Sequence, residues 1–171
     1  PNKIINNFNS LLNRIYLIRI YLIYYIAMTY LIAHRGIKNR ENTIAGIIHA
    51  SEVLNIIELD VRFNTNREVI LCHDREDRNF SENETLIQLC QHRNPLFLMI
   101  DIKAYGISSA YEIANVVYKI VTSYPHHTYY LCSFNEFCVR KLLSLRNSNN
   151  FSIGVISSGI PINLFQHLIG L

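Results

Sequence analysis

Charge is scarce in this sequence. Only 17% of the 171 residues are Asp, Glu, Lys or Arg, against 50% apolar side chains. The formal net charge of +3 is local: Lys3, Arg14 and Arg19 lie within the first 27 residues, which contain no acid, while residues 28–171 hold 13 basic and 13 acidic side chains. No basic stripe with interleaved aromatics occurs, so no nucleic-acid partner is expected. Cysteine is sparse as well. Cys72, Cys90, Cys132 and Cys138 show neither CxxC spacing nor the density of a disulfide framework. Three of them sit within apolar runs, the pattern of reduced core thiols in a reducing compartment such as the cytoplasm. No internal repeat and no Gly/Ser-rich linker interrupts the chain, which points to one domain over residues 28–171.

The leading segment stands apart. Residues 1–27 are rich in Asn, Ile, Leu and Tyr, and the run Ile15–Ala33 carries a single charge, Arg19. About 20 apolar residues would span a bilayer, but Arg19 and the many tyrosines argue against a plain span. An extra N-terminal helix on the domain, an anchor or membrane-surface helix over residues 4–27, and a stretch outside the protein proper all fit. The expectation is a cytoplasmic protein, or a membrane-associated one if residues 4–27 act as an anchor.

From Thr29 onward short apolar runs alternate with helical stretches. Strands are expected at Thr29–His34, Asn55–Phe63, Glu68–His73, Leu96–Lys103, Thr128–Phe134 and Phe151–Ser157. Helices are expected after Glu41-Asn42-Thr43, with Ile44, Ile47, Ile48 and Val53 as the apolar stripe, then near Thr85–His92, Ser108–Ser123, Glu136–Arg146 and Ile162–Leu171. Strands apolar on both faces that alternate with helices indicate an α/β fold with a parallel, helix-covered sheet. Pattern alone does not choose between an open sheet and a closed barrel.

Four clusters of reactive side chains fall at the carboxyl ends of expected strands, where ligands gather in both architectures. The first is Ala33-His34-Arg35-Gly36, followed by Glu41-Asn42-Thr43. His34 can exchange protons near neutral pH and Arg35 can grip a phosphate with two parallel N–H groups; an ordinary strand-to-helix turn capped at Asn42 would read the same way. In the second, Glu58 and Asp60 lie two apart on an apolar strand and so share one face, about 7 Å apart along the backbone. Burying like charges together is costly unless a cation or strong donors compensate, and hard divalent ions favour such oxygens. Acids on an edge strand, or acids paired with Arg62 or Arg67, would look alike. The third cluster is Cys72-His73-Asp74, whose histidine could partner His34 as acid or base. The fourth is Asp101-Ile102-Lys103, offering a third carboxylate and an ammonium on one face, or simply an internal ion pair. Together these groups suit metal-assisted phosphoryl transfer.

The run LIAHRGIKNRENTIAGIIHA, followed by IIELDVRFNTNREVILCHD, resembles the amino-terminal signature of the glycerophosphodiester phosphodiesterase family: HRG, then PENT, a helix, ELDV, a turn and a strand ending in HD. The likeness covers residues 29–74 in register, and IDIK at 100–103 resembles the family's later EIK strand. YLCSF at 130–134 fits more loosely. The resemblance implies a TIM (β/α)8-type barrel and hydrolysis of glycerophosphodiesters to sn-glycerol 3-phosphate and an alcohol. Carried over position by position, His34 and His73 would be the acid and base. Arg35 and Lys103 would hold the phosphate, and Glu58, Asp60 and Asp101 would bind one divalent cation, Mg2+ or Ca2+. The substrate would be a small glycerophosphodiester or a lysophospholipid.

Three departures bear on that expectation. Arg40 stands where the family has proline, Asp101 replaces a glutamate, and the stretch between His73 and Asp101 is short. The last two resemble the sphingomyelinase D-like relatives of the same superfamily. A full barrel takes about 250 residues, so the expectation is an incomplete barrel of about six β/α units, truncated at the carboxyl end. A catalytically inactive barrel fragment is the third reading.

Overall fold

The computed structural model describes residues 31–74, 83–146 and 151–156. Apart from Leu31, all of these fall in the unit Ile32–Leu171. The elements run β1 (Ile32–Ala33), α1 (Ile44–Ser51), β2 (Ile56–Phe63), β3 (Val69–Leu71), α2 (Leu86–Cys90), β4 (Phe97–Ile102), α3 (Ile107–Ser123), β5 (Thr128–Ser133), α4 (Glu136–Leu145) and β6 (Phe151–Val155). The expected helix over Ile162–Leu171, the leading helix or anchor in residues 1–27, and Thr29 and Tyr30 of the first strand lie outside the described residues.

Strands β1, β2, β4, β5 and β6 pair in that order, each parallel to its neighbour. Helices cross between them, as parallel pairing requires. β3 is the exception. It turns back antiparallel on β2, with Val61 opposite Leu71 and Phe63 opposite Val69. The Asn64–Arg67 turn is too short for a crossover, so the strand expected at Glu68–His73 is the return arm of a hairpin and not a further stave of the barrel.

Alternation across β2 and β4 sets the two faces. Ile57, Leu59 and Val61, with Leu98, Ile100 and Ile102, join a core cluster that includes Ile47 of α1 and Ala110, Ile113, Ala114 and Val117 of α3. Those α3 positions recur at helical spacing and continue through Ile120 and Val121. Each such Ile, Leu or Val side chain contributes about 1.5–3 kcal/mol on burial. The opposite face of β2 carries Glu58, Asp60 and Arg62, all buried. The layout is that of an incomplete TIM-type barrel, with polar groups on the opposite face of the strands from the helices.

The apolar stripe of α1 is shorter than expected. Thr43 caps the helix by accepting the Gly46 amide at 3.1 Å, and the helix stops at Ser51. Val53 lies beyond that end and is 78% exposed; Ala50 takes the buried place instead. All four cysteines are buried. No helix among the described residues is long and apolar enough to cross a membrane.

Candidate active site

β2 and β4 are hydrogen-bonded in register so that Asp60 sits directly beside Asp101, with Glu58 one inward-facing step earlier, opposite Met99. Backbone pairing therefore fixes the carboxylates, which offer ligand atoms within 4.8 Å of one another. Exposure is 8% at Glu58, 1% at Asp60 and 3% at Asp101. Oδ1 of Asp101 is buried with no hydrogen-bond partner. An orphaned carboxylate oxygen beside two further acids is the donor set of a hard divalent cation, and the three residues fit one.

Two cations press on this group. After β1 the chain turns sharply through His34, Arg35 and Gly36; Arg35 has φ 58° and Gly36 φ 87°. This turn aims the Arg35 amide at Glu58 Oε2, 3.0 Å away, and brings the guanidinium Nε to 2.9 Å from Asp60 Oδ2. The second contact is an ion pair whose N–H is not directed at the oxygen. From β4, Lys103 reaches back to Asp60 Oδ1 at 2.9 Å and also bonds Asp101. The Asp101–Lys103 ion pair that the sequence allowed is therefore present, shared with Asp60.

Glycine makes the turn sit where it does. A Cβ on Gly36 would meet the Gly46 carbonyl carbon at 3.0 Å, and one on Gly46 would meet the Arg40 carbonyl oxygen at 2.2 Å. The loop carrying Arg35 thus lies directly on the first turn of α1. The Asn42 amide closes it by donating to the Arg35 carbonyl at 2.9 Å.

The carboxyls differ in the direction their surroundings shift them. Burial, reinforced by the neighbouring Asp60 charge, raises the pKa of Glu58. Burial also raises Asp101, outweighing the bond from Lys103. At Asp60 burial pushes the same way, but hydrogen bonds from Lys103 and Asn42 and the charges of Lys103 and Arg35 overcome it and hold the carboxyl below its usual range. Asp60 is the charged anchor of the group. Lys103 is likewise raised: burial opposes its charge, and the bonds to Asp101 and Asp60 prevail.

The histidines flank this centre. His34 Nε2 lies 3.8 Å from Glu58 Oε2, with its side chain 72% exposed. His73 follows β3, which the Cys72 amide ties to the Asp60 carbonyl at 3.0 Å. Its Nδ1 lies 2.7 Å from Asp74 Oδ1, and its carbonyl accepts from Arg62 Nη2 at 2.5 Å. A carboxylate at one ring nitrogen orients the imidazole and leaves the other nitrogen available for proton exchange. The structure thus gathers His34, Arg35, Glu58, Asp60, His73, Asp101 and Lys103 at the ends of β1, β2, β3 and β4.

The observed contacts of three residues in this region are not foreseen from the sequence. Asn42, for which a plain helix cap was the alternative, instead bonds Asp60. Glu84 accepts the Ile44 amide at 2.5 Å, tying the first turn of α1 to the segment before α2. Arg62 pairs with no carboxylate among the described residues, and Arg67 pairs with Glu112 at 2.7 Å, so neither neutralises the acids of β2. Extending the two-residue period one step past Asp60 would have placed Arg62 on the inner face.

No protein-family model matches the sequence, and no curated protein does. Solved structures do. A glycerophosphodiester phosphodiesterase from Parabacteroides distasonis superposes with a TM-score of 0.59 at 18% identity, over 72% of this chain and 64% of that one. A phosphodiesterase from Oleispira antarctica, solved with the product sn-glycerol-3-phosphate, gives 0.65 at 18% identity, over 85% of this chain and 73% of that one. The glycerophosphodiester phosphodiesterase of Agrobacterium tumefaciens gives 0.51 at 20% identity, over 72% and 65%. The fold is that of the glycerophosphodiester phosphodiesterases. The chain spans 64% of the first of these relatives and 65% of the third. In this chain β2 and β4 carry the three acids, and the turn after β1 carries His34 and Arg35.

Proposed function

We propose that the protein is a metal-assisted phosphodiesterase that cleaves glycerophosphodiesters to sn-glycerol 3-phosphate and an alcohol. The observation that carries this reading is the cluster of three buried carboxylates within 4.8 Å, bracketed by Arg35 and Lys103. Glu58, Asp60 and Asp101 would hold one Mg2+ or Ca2+, which when bound supplies positive charge to offset the charge that develops on phosphoryl oxygens. Arg35 and Lys103 add fixed charge to the same end. His34 and His73 divide the proton traffic: one takes the proton of the attacking hydroxyl, the other protonates the leaving alcohol oxygen. The attacking group is the substrate's own glycerol hydroxyl, giving a cyclic phosphate that water opens, so the protein need not supply a nucleophile. The product held by the Oleispira structure is in line with this chemistry.

The short Asp101 side chain and the short segment after His73 favour a second reading, a sphingomyelinase D-like reaction that stops at the cyclic phosphate. Release of glycerol 3-phosphate from glycerophosphocholine, with Mg2+ or Ca2+ and then with EDTA, tests the first reading, with Glu58→Gln and His34→Ala alongside. Metal-dependent product that both substitutions abolish is expected. A cyclic phosphate that accumulates would favour the second reading, and no cleavage by a folded, metal-binding sample would overturn both.

A further inference from the structure

Arg62 has no task in the reaction outlined above, yet it is 4% exposed. Its Nη2 donates to the His73 carbonyl at 2.5 Å and to the Tyr105 hydroxyl at 3.4 Å, and its guanidinium carbon lies 5.7 Å from the centre of the Tyr105 ring. Nε is buried with no hydrogen-bond partner. Arg35, Arg67 and Lys103 each face a carboxylate; Arg62 faces none among the described residues. A buried cation without an anion is costly, and the cost falls when an anion arrives.

There is a place for one. Arg62, Asn64, Lys103, Tyr105 and Ser109 line a cavity of about 230 Å3, and no acid contributes to its wall among the described residues. Ser109 brings in the amino end of α3, a helix of 17 residues. Its cap is Gly106, which offers no side chain, and its first turn contains no acid. The unsatisfied amides of a first turn attract negative charge. A liquid water occupies roughly 30 Å3, so the cavity has room for a tetrahedral oxyanion and companion waters. Arg62 lies two positions beyond Asp60 on the same face of β2, about 7 Å along the strand.

We propose that this cavity is a second anion subsite that takes a further phosphate carried by the alcohol half of the substrate. It rests on the phosphodiesterase reading and deepens it: the preferred diesters are those whose alcohol is itself phosphorylated. Lys103 stands between the two subsites, since it touches Asp60 and Asp101 and also lines the cavity.

The test uses two diesters that differ by one terminal phosphate, glycerophosphoglycerol and its phosphorylated counterpart, with wild-type protein, Arg62→Met and Ser109→Glu. The second substitution puts a carboxylate into the cavity at a helix position that tolerates acids, so it carries the test even if loss of Arg62 impairs folding. The wild type is expected to favour the phosphorylated diester in kcat/KM, and each variant to cut that preference on the order of ten-fold. Equal use of the two diesters by the wild type, or a preference that survives both substitutions, overturns the subsite and leaves Arg62 as a strut for the His73 carbonyl. If the wild type cleaves neither diester, the reaction assigned above falls. Calorimetry with inorganic phosphate then decides the subsite alone: binding weakened in both variants upholds it, and binding equal in all three discards it.

Discussion

Asn42 holds Asp60 at two points. Its Nδ2 donates to Asp60 Oδ2 at 3.1 Å, and its Oδ1 accepts the Asp60 amide at 2.9 Å. The pair spans 18 residues and locks the β1 turn to β2. Asn42 adopts φ 53° to do so, a left-handed conformation that asparagine tolerates better than most side chains. The helix cap falls to Thr43 in consequence.

Replacing Asn42 by Ala leaves a buried amide and a buried carboxylate oxygen short of partners. Hydrogen bonds to charged groups contribute about 1.5–3 kcal/mol, so Asn42→Ala should lower unfolding free energy by roughly that amount. Urea denaturation followed by circular dichroism would register it, and an unchanged midpoint would dismiss the clamp.

Gly46→Ala should disturb the same loop from the other side. The added carbon would sit 2.2 Å from the Arg40 carbonyl oxygen, a backbone atom that cannot swing away. Overpacking of this kind costs about 1–3 kcal/mol, and the loop it displaces carries Arg35. Thermal unfolding should show the loss together with weaker phosphate binding. An alanine variant as stable as the wild type would contradict the close packing.

Removing one charge from the carboxylate cluster at nearly constant shape should weaken cation binding. Glu58→Gln is expected to lower Mg2+ or Ca2+ affinity at least about ten-fold in calorimetric titration, since even residues that only support metal ligands carry effects of that size. Equal affinity in the variant would remove Glu58 from the ligand set.

A pH dependence should arise far from the acids. His127, 2% exposed, accepts the Leu96 amide at Nδ1 and lies 3.0 Å through Nε2 from the Cys90 carbonyl. An amide can only donate, so the ring is neutral with its proton on Nε2. Burial lowers the His127 pKa from 6.5, and the nearby His126 and His92 add to the effect against the bond to Cys90. The His126 ring centre lies 3.9 Å away at a 42° tilt, and Tyr129 packs edge-on at 5.9 Å. Below 6.5 the unfolded chain takes up a proton that the folded chain refuses, so this contribution is whole above that pH and is lost as pH falls through the depressed value. The melting temperature should therefore drop between about pH 7 and about pH 5, and the drop should be smaller in His127→Gln. A flat profile in the wild type would refute the assignment.

Much of this was legible in the sequence because strand periodicity is a strict rule. Glu58 and Asp60 had to share a face, as did Asp101 and Lys103, and the apolar remainder of those strands required burial on both sides. Other features depend on contacts that spacing does not encode. Asn42 fits a cap signature while serving Asp60 through a left-handed turn. The strand at Val69–Leu71 carries a barrel-like apolar run, yet a four-residue turn reverses its direction. Val53 continued an apolar period that the helix had already ended. His127 gave no signal, because its partners Cys90 and Leu96 are backbone groups more than 30 residues away.

The pairing of Asp60 with Asp101 makes the sheet itself a ruler. Adjacent strands stand about 4.8 Å apart whatever joins them, so the spacing of these two acids is indifferent to the length of the segment between His73 and Asp101. That segment can shrink or be replaced over generations without retuning the charge geometry. Only a shift in register, or a change at one of the acids themselves, would alter it.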